Sequence, residues 1–556
     1  MNKDASAGIH DDKEHVMRDP VHGLIPLYPW EKKLIDTPAF QRLKRIHQLG
    51  MTHYVYPGAE HTRFTHSLGV MHVASRMFDQ LAKYEPLKRK PKEELTMMRN
   101  AVRISALLHD IGHGCYSHVG EKTIFPKVSV SKSPEVGHEA YTKLIILSEQ
   151  ISDILSKYKE VTGGVTAKDI VRILNGDIDE WDCRFQCDIL SGALDADKMD
   201  YLLRDSRFCG VTYGLFDLER LLYSLRLVEI NKDDTRVLVL GITKHGIQAV
   251  EEFVMARYWM FIQVYFHKYR RLYDHYLTEF LKLYLKKHFG EENPTYPTKL
   301  DEYLKLDDCV LLAEIHEAWH TRTFKTQEGR MMQYYASKLM ERNHHKVAFD
   351  PPLQHIPRRV AASSNEDNGK ANNFGKVEYN TNSLDVPSDY LRVRYVYKKI
   401  REFIKTLPKE SERQCYRYDY AKGGAIKEYF NVSAYDEKFD ADIGYSKSGD
   451  PEPPPKQRVP SIPVLTGDPA HPVRPIQHFS IVLDAVSDRV FSMLRVYCDE
   501  SLVDETTVKC HTYITEYDDY TMRERLALKA EEQAGIAAAQ RRETKDKEFT
   551  DDDDDD

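Results

Sequence analysis

The run Leu107-Leu108-His109-Asp110-Ile111-Gly112-His113-Gly114 (LLHDIGHG) closes the apolar stretch AVRISALL, 101–108, with an adjacent histidine and aspartate. Upstream, the segment HTRFTHSLGV, 61–70, supplies His61 and His66, the latter forty-three residues before His109. Farther on, DADKMDYLLRD, 195–205, supplies Asp195, Asp197, Lys198, Tyr201 and Asp205. Each fragment alone is ordinary, since a lone helical histidine is more often a satisfied polar residue than a ligand. Together they put a His-Asp pair at the end of an apolar helix, with a histidine before it and an aspartate after it. Two imidazoles and two carboxylates form a mixed nitrogen–oxygen donor set that suits Mn, Fe, Zn or Mg better than a soft-ligand metal. Such a set leaves coordination positions open, and water activated there can attack phosphorus. A buried ion-pair cluster without a cation would bear heavy desolvation for little gain.

The rest of the chain bounds this reading. Its 556 residues are long for one compact core, so two or more lobes are expected. Hydrophobic residues make up 41% of the chain, enough for a large core, which excludes a wholly disordered protein. No apolar run approaches the roughly 20 residues needed to span a bilayer, and the first residues lack the pattern of a secretory signal. The eight cysteines follow no repeating spacing, which suits a reducing, cytoplasmic setting. Net charge is −8, but Asp551 to Asp556 supply six of the 87 acidic residues; without them 81 acidic residues face 79 basic ones. A global pull on nucleic acid is therefore not indicated.

Residues 16–290 read as mainly helical, with apolar residues at three- and four-residue spacing such as Val250, Phe253 and Val254. One long helix is expected from near His245 to near His288. Polar 351–389 and proline-rich 446–475 read as long loops. Between them Tyr390 to Lys405 reads as helix, and Phe479 to Tyr497 as a strand with a helix. The expected domains are a phosphohydrolase core over 1–290, a smaller α+β lobe over 291–520, and a charged helix with a solvated acidic tail over 521–556. The fold class is mainly α. Cys183 and Cys187 read as two reduced thiols near a helix rather than a second metal site.

These motifs resemble the HD-domain deoxynucleoside triphosphate triphosphohydrolases. The likeness runs through DPVHGLIPLYPWEKKLIDTPAFQRLKRIHQLG, YVYPGAEHTRFTHSLGV, LLHDIGHGCYSH, DADKMDYLLRDS and FHKYR, within the first 290 residues. IQHFSIV and LRVYC echo the family's C-terminal lobe. The likeness is greatest to animal members that carry a sterile-alpha-motif domain, which this chain is expected to lack. The resemblance implies an HD-type helical core and a divalent metal on His66, His109, Asp110 and Asp197. It places His113, His118 and His138 around the phosphates, with His118 protonating the leaving 5′ oxygen and Glu121 supporting it. A neighbouring carboxylate raises a histidine's pKa, which fits a general acid. Arg63, Lys198 and Arg257 match phosphate contacts, while Gln48, Tyr201, Asp205 and Tyr265 match a set that selects deoxyribose. Glu121 stands where the animal members have aspartate, and Phe261 where they have histidine.

Val16, Asp36, Gln41 and Lys44 match positions that hold an activating guanine nucleotide between subunits, with Lys44 replacing an arginine and His15 a lysine. Lysine is a poor substitute for a planar, bidentate guanidinium, so that site is expected to be altered. The implied ligands and partners are deoxynucleoside triphosphates, further copies of the chain in a dimer or tetramer, and a protein bound through the C-terminal region; no membrane is implied. Family analogy extends to defence against phage or virus by nucleotide depletion. The alternatives are a nuclease or phosphodiesterase on the same scaffold, which would act on nucleic acid or cyclic nucleotides, and a nucleotide-sensing regulatory protein.

Overall fold

The computed structural model describes residues 15–523 apart from 130–133, 179, 181–182, 233–234, 291–293, 322–323, 352–353, 358–387, 425–461, 468–472 and 484–488. Two compact units emerge, one of 1–344 with 424–489 and one of 345–423 with 490–556. The first boundary thus falls after His344 rather than near residue 290, and the chain returns to the first unit after residue 423.

The first unit is a helical assembly. It opens with a hairpin of β1 (His15–Asp19) and β2 (Gly23–Leu27), in which Met17 faces Ile25. Asp19 Oδ1 accepts the amides of Val21 and His22 at 2.8 and 2.9 Å, closing the turn. The central helix α1 (Arg63–Leu81) packs against α2 (Lys92–Leu108) and α4 (Ala196–Cys209), with α3 (His138–Ile146) near the end of α2. Leu68, Val70, Met71, Val73, Ala74 and Met77 of α1 are buried in this core. Helix α2 carries Glu93 and Glu94 in its first turn, where the helix dipole favours them, and ends with His109 as its C-cap. Helix α4 is capped at both ends: Asp195 Oδ1 accepts the Lys198 amide at 2.8 Å, and Gly210 closes it in the left-handed region at φ 69°.

The expectation of a mainly helical stretch to residue 290 misses a hairpin. β3 (Leu225–Lys232) pairs antiparallel with β4 (Thr235–Thr243), and Val228, Ile230, Val237 and Val239 cluster on one face. Residues Pro463–Leu465, within the expected proline-rich loop, join β4 in parallel with Val464 opposite Ile242. Val473–Pro475 then pairs antiparallel with that strand. Proline is tolerated at the start of such short strands because the missing amide need not enter the ladder, and Ile462 and Val464 gain burial. The long helix expected from His245 to His288 is also interrupted. It comprises α5 (Ile247–Met260), a wide π turn over Phe261–Tyr265, and α6 (Lys268–Phe289). His267 takes an extended ψ of 131° and caps α6, so the axis restarts there.

In the second unit, Arg489–Cys498 is the central strand, flanked by Lys346–Phe349, Gln354–Pro357 and Tyr416–Gly424. Helix Ser388–Thr406 supplies Val393, Val396 and Ile400 to a core with Phe349, Leu494, Val496 and Cys510. The expected helix at 390–405 is present, as is the strand of the 479–497 pattern. The mainly α class with a smaller α+β lobe thus holds. Most of the expected loop at 351–389, and the charged C-terminal helix and tail beyond Arg523, lie outside the described residues.

Candidate metal centre

Helices α1, α2 and α4 bring the quartet together. His66 lies one turn into α1, His109 and Asp110 end α2, and Asp197 opens α4. Ring nitrogens of His66 and His109 and a carboxylate oxygen of Asp110 lie within 4.8 Å of one another. Asp197 Oδ1 stands 3.0 Å from His66 Nε2 and 3.8 Å from His109 Nε2. Each imidazole is held by its far edge. His66 Nδ1 donates to Asp200 Oδ2 at 2.7 Å, and His109 Nδ1 donates to the Ala106 carbonyl at 2.8 Å. Both Nε2 atoms are buried and lack an aligned hydrogen-bond acceptor among the described residues. Two orphaned imidazole nitrogens converging on two carboxylates fit a divalent cation, and the outer bonds fix the tautomer such a ligand needs.

Electrostatics agree. Burial opposes charge on His66, but the close Asp197 carboxylate, the Asp200 bond and the Asp110 charge outweigh it and raise its pKa to about 10. Burial disfavours the Asp110 carboxylate, yet the Arg63, His109 and His113 charges hold it well below the usual carboxylate range. The raised pKa favours the His66 imidazolium, so a cation must compete with a proton at this ring. Cation uptake is expected to release at least one proton, so apparent affinity rises about tenfold per pH unit below the raised pKa. Calorimetric titration in buffers of differing ionisation enthalpy measures the release; a buffer-independent enthalpy would count against His66 as a ligand.

The support behind His66 escapes a reading of the motifs alone. Asp200 also accepts from His22 Nε2 at 2.6 Å and from Arg204 Nε and Nη2 at 2.8 and 2.9 Å. Arg204 Nη1 reaches Asp19 Oδ2 at 2.8 Å. The available signal was the spacing: Asp200 follows Asp197 by three residues and precedes Arg204 by four, so all three share one side of α4. Gly69 admits this network, because a Cβ there would sit 1.9 Å from Asp200 Oδ1 and 2.4 Å from Arg204 Nη2.

A histidine cluster adjoins the quartet. His113 Nε2 lies 3.3 Å from Asp110 Oδ1, and its ring stacks on His138 at 3.7 Å between centroids. Glu121 accepts from His118 Nδ1 at 2.7 Å through one oxygen and from His138 Nδ1 through the other. Glu121 raises the pKa of His118 as expected, yet the net direction is downward. Although 56% of its side chain is open, desolvation by the surrounding protein is the largest influence, and with the Arg63 charge it outweighs Glu121 and lowers the pKa. Burial, Arg63 and His138 likewise push His113 well down. The preceding loop is strained: Tyr116 and Ser117 have φ of 54° and 62°, where side-chain-bearing residues are uncommon. Asp308 Oδ1 accepts the Tyr116 amide at 2.6 Å, and Ser117 Oγ accepts from Arg63 Nε at 2.8 Å.

On the other flank, Arg63 donates from Nη1 to Asp110 at 2.5 Å, and its Nη2 lies 3.5 Å from the Gln48 carbonyl. The Gln48 amide donates to the His61 carbonyl at 3.0 Å, and His61 Nε2 donates to Asp205 Oδ1 at 2.7 Å. Asp205 Oδ2 accepts from the Tyr265 hydroxyl at 2.7 Å, and Tyr265 meets Tyr201 edge-on. Arg257 interacts with the Tyr201 hydroxyl and lies over the Phe261 ring at 4.7 Å. Lys198, expected at the phosphates, has a buried ammonium that pairs with Asp195 and lies 3.2 Å from the Gly192 carbonyl. Val16, Asp36, Gln41 and Lys44 each have local surroundings. Val16 is exposed, Asp36 pairs with Lys32, Gln41 donates to the Ile35 carbonyl, and Lys44 lies over Phe64. Neither Cys183 nor Cys187 is in a disulfide, and no described helix is long and apolar enough to cross a membrane.

Two family models match, the HD domain over residues 63–205 and the HD associated region over 216–375. The uncharacterized protein YwfO of Bacillus subtilis is 34% identical over 322 residues, covering 55% of this chain and 66% of its own. Deoxynucleoside triphosphate triphosphohydrolase SAMHD1 of Gallus gallus is 30% identical over 344 residues, covering 54% of this chain and 52% of its own. The chain thus spans half to two thirds of these relatives. A phosphohydrolase structure from Bacteroides thetaiotaomicron matches with a TM-score of 0.55 and 24% identity, covering 87% of this chain and 99% of its own. The first HD-domain match begins at Arg63, where α1 starts, and ends at Asp205 in α4, so it encloses the whole quartet. With the associated region following directly, the chain belongs to the HD-domain proteins.

Proposed function

We propose that the chain hydrolyses deoxynucleoside triphosphates to deoxynucleoside and tripolyphosphate at the His66, His109, Asp110 and Asp197 centre. The observation that carries this reading is one unbroken path of contacts. It runs from Tyr265 and Asp205 through His61, Gln48 and Arg63 to Asp110, and on to His113. This path supports a pocket in which the Tyr265–Asp205–Gln48 end meets the sugar and the Arg63–Asp110 end meets the phosphates. A divalent cation held by the quartet would polarise the phosphate and activate water.

The protein's own groups do the rest. Arg63 neutralises charge beside Asp110, and Arg257 adds a second guanidinium near Tyr201. His118 donates a proton to the leaving 5′ oxygen while Glu121 fixes its ring. The depressed pKa of His118 suits this role once substrate arrives, because a nearby polyanion favours the imidazolium. Gln48 Oε1 is buried without a hydrogen-bond partner among the described residues and is the acceptor offered to a 3′ hydroxyl. Both Asp205 oxygens already accept bonds, so Asp205 positions Tyr265, whose ring blocks a 2′ hydroxyl.

Each of the four deoxynucleoside triphosphates and their ribose counterparts, singly and mixed, should be incubated with Mn or Mg and the products separated by chromatography. Deoxynucleoside plus tripolyphosphate, with ribonucleotides spared, is the expected outcome. Cleavage of single-stranded DNA or cyclic nucleotides in place of mononucleotides would instead support the nuclease reading.

A further inference from the structure

A second histidine cluster lies outside the quartet. A ring nitrogen of His47, one of His53 and a Glu60 carboxylate oxygen lie within 4.8 Å of one another. The chain brings them together through a short paired segment. His47 bridges Thr62, the Gln48 amide donates to the His61 carbonyl, and the Arg63 amide donates to the Ile46 carbonyl. His53 arrives from the 3-10 turn Gly50–Tyr54, with its ring 5.2 Å from that of His47.

The cluster is organised like a ligand set. Asp308 Oδ2 accepts both the His47 amide at 2.8 Å and His47 Nδ1 at 2.7 Å, which locks the ring and directs Nε2 to Glu60 at 3.0 Å. A buried carboxylate orienting an imidazole by its far edge is the usual support behind a metal-bound histidine. Asp308 is itself buried and heads helix Asp308–His320. Tyr116 stacks on His47 and closes its other side. His53 Nδ1 is buried near the Gly50 backbone of its own turn and has no well-aligned hydrogen-bond partner among the described residues. The Glu60 side chain is 57% exposed, so it can swing by the fraction of an ångström that coordination needs, and the cluster opens to solvent on that side.

We propose that His47, His53 and Glu60 form a second divalent-cation site, distinct from the quartet. Two imidazoles and one carboxylate favour zinc, cobalt or nickel over magnesium, with water completing the shell. The site joins the Gly50–Tyr54 turn to the segment ahead of α1, next in sequence to Gln48 and His61. A cation there holds both in register with Asp205, a positioning rather than a catalytic role.

The test uses the full chain and cobalt(II) alone as probe. Wild-type protein is expected to bind one more cobalt per chain than His53→Ala/Glu60→Gln, with affinity for that cobalt lowered at least about 100-fold by the substitutions. Circular dichroism monitors the fold, and His47 is left intact so that Asp308 keeps its partner. In cobalt-soaked crystals, anomalous scattering should give a peak about 2.0–2.2 Å from both imidazoles. Equal cobalt stoichiometry in wild type and double variant, or anomalous density at the quartet alone, overturns the proposal.

Discussion

His109→Ala is expected to lower the rate of triphosphate cleavage at least about 1,000-fold, and Asp197→Ala to do the same. A cation that stabilises transition-state charge contributes several kcal/mol, and each ~1.4 kcal/mol is about tenfold in rate. Both residues face the centre from helix ends, His109 as the C-cap of α2 and Asp197 in the first turn of α4. Neither belongs to the apolar core, so far-ultraviolet circular dichroism should be unchanged. The loss should appear in kcat, and calorimetry should show the cation's affinity falling in parallel. Wild-type rates with normal cation binding in either variant would remove the quartet from the chemistry.

Gly69→Ala is expected to be the most damaging conservative change in α1. The new methyl would meet Asp200 Oδ1 at 1.9 Å and Arg204 Nη2 at 2.4 Å, and neither group can retreat. Asp200 is bound to His22, His66 and Arg204, and Arg204 to Asp19, all deep in the protein. Overpacking costs about 1–3 kcal/mol and disrupting a buried ion pair about 3–5 kcal/mol, so a loss on the order of 3–5 kcal/mol is expected. Displacing Asp200 also frees the His66 ring, which should weaken cation binding about 10- to 100-fold. Gly210→Ala serves as the comparison: it has φ 69° but nothing within 4 Å, so only a backbone penalty of about 1 kcal/mol is expected. Differential scanning calorimetry of both variants, each with and without cation, separates packing from ligand-geometry effects. Equal melting temperatures in the two variants would contradict the clash.

The quartet was legible in sequence because its members occupy helix ends, where a polar pair interrupting an apolar run stands out. Its support was not. Asp200 reads as one more polar residue in α4, and its partner His22 lies 178 positions away, beyond the reach of periodicity. Lys198 shows the same limit: spacing puts it beside Asp197 but cannot show that the helix-capping Asp195 pairs with its ammonium. The π turn at Phe261–Tyr265 was hidden because FIQVYFH has neither proline nor glycine to mark a break. That turn lies just before the α6 restart, and Tyr265 within it bonds to Asp205. The strand at Pro463–Leu465 was masked by its prolines and depends on pairing with β4 more than 200 residues earlier. Local pattern thus located the quartet, whereas long-range packing determined which neighbours each group keeps.

The most direct measurement is hydrolysis of deoxynucleoside triphosphates in water enriched in oxygen-18, with both products read by mass spectrometry. Attack on the α-phosphorus places the heavy oxygen in tripolyphosphate and none in the 5′ hydroxyl of the deoxynucleoside, and a chelator should abolish the reaction. Label in the deoxynucleoside, release of pyrophosphate with a deoxynucleoside monophosphate, or undiminished turnover with the cation removed would each contradict cation-dependent release of tripolyphosphate by attack at the α-phosphorus.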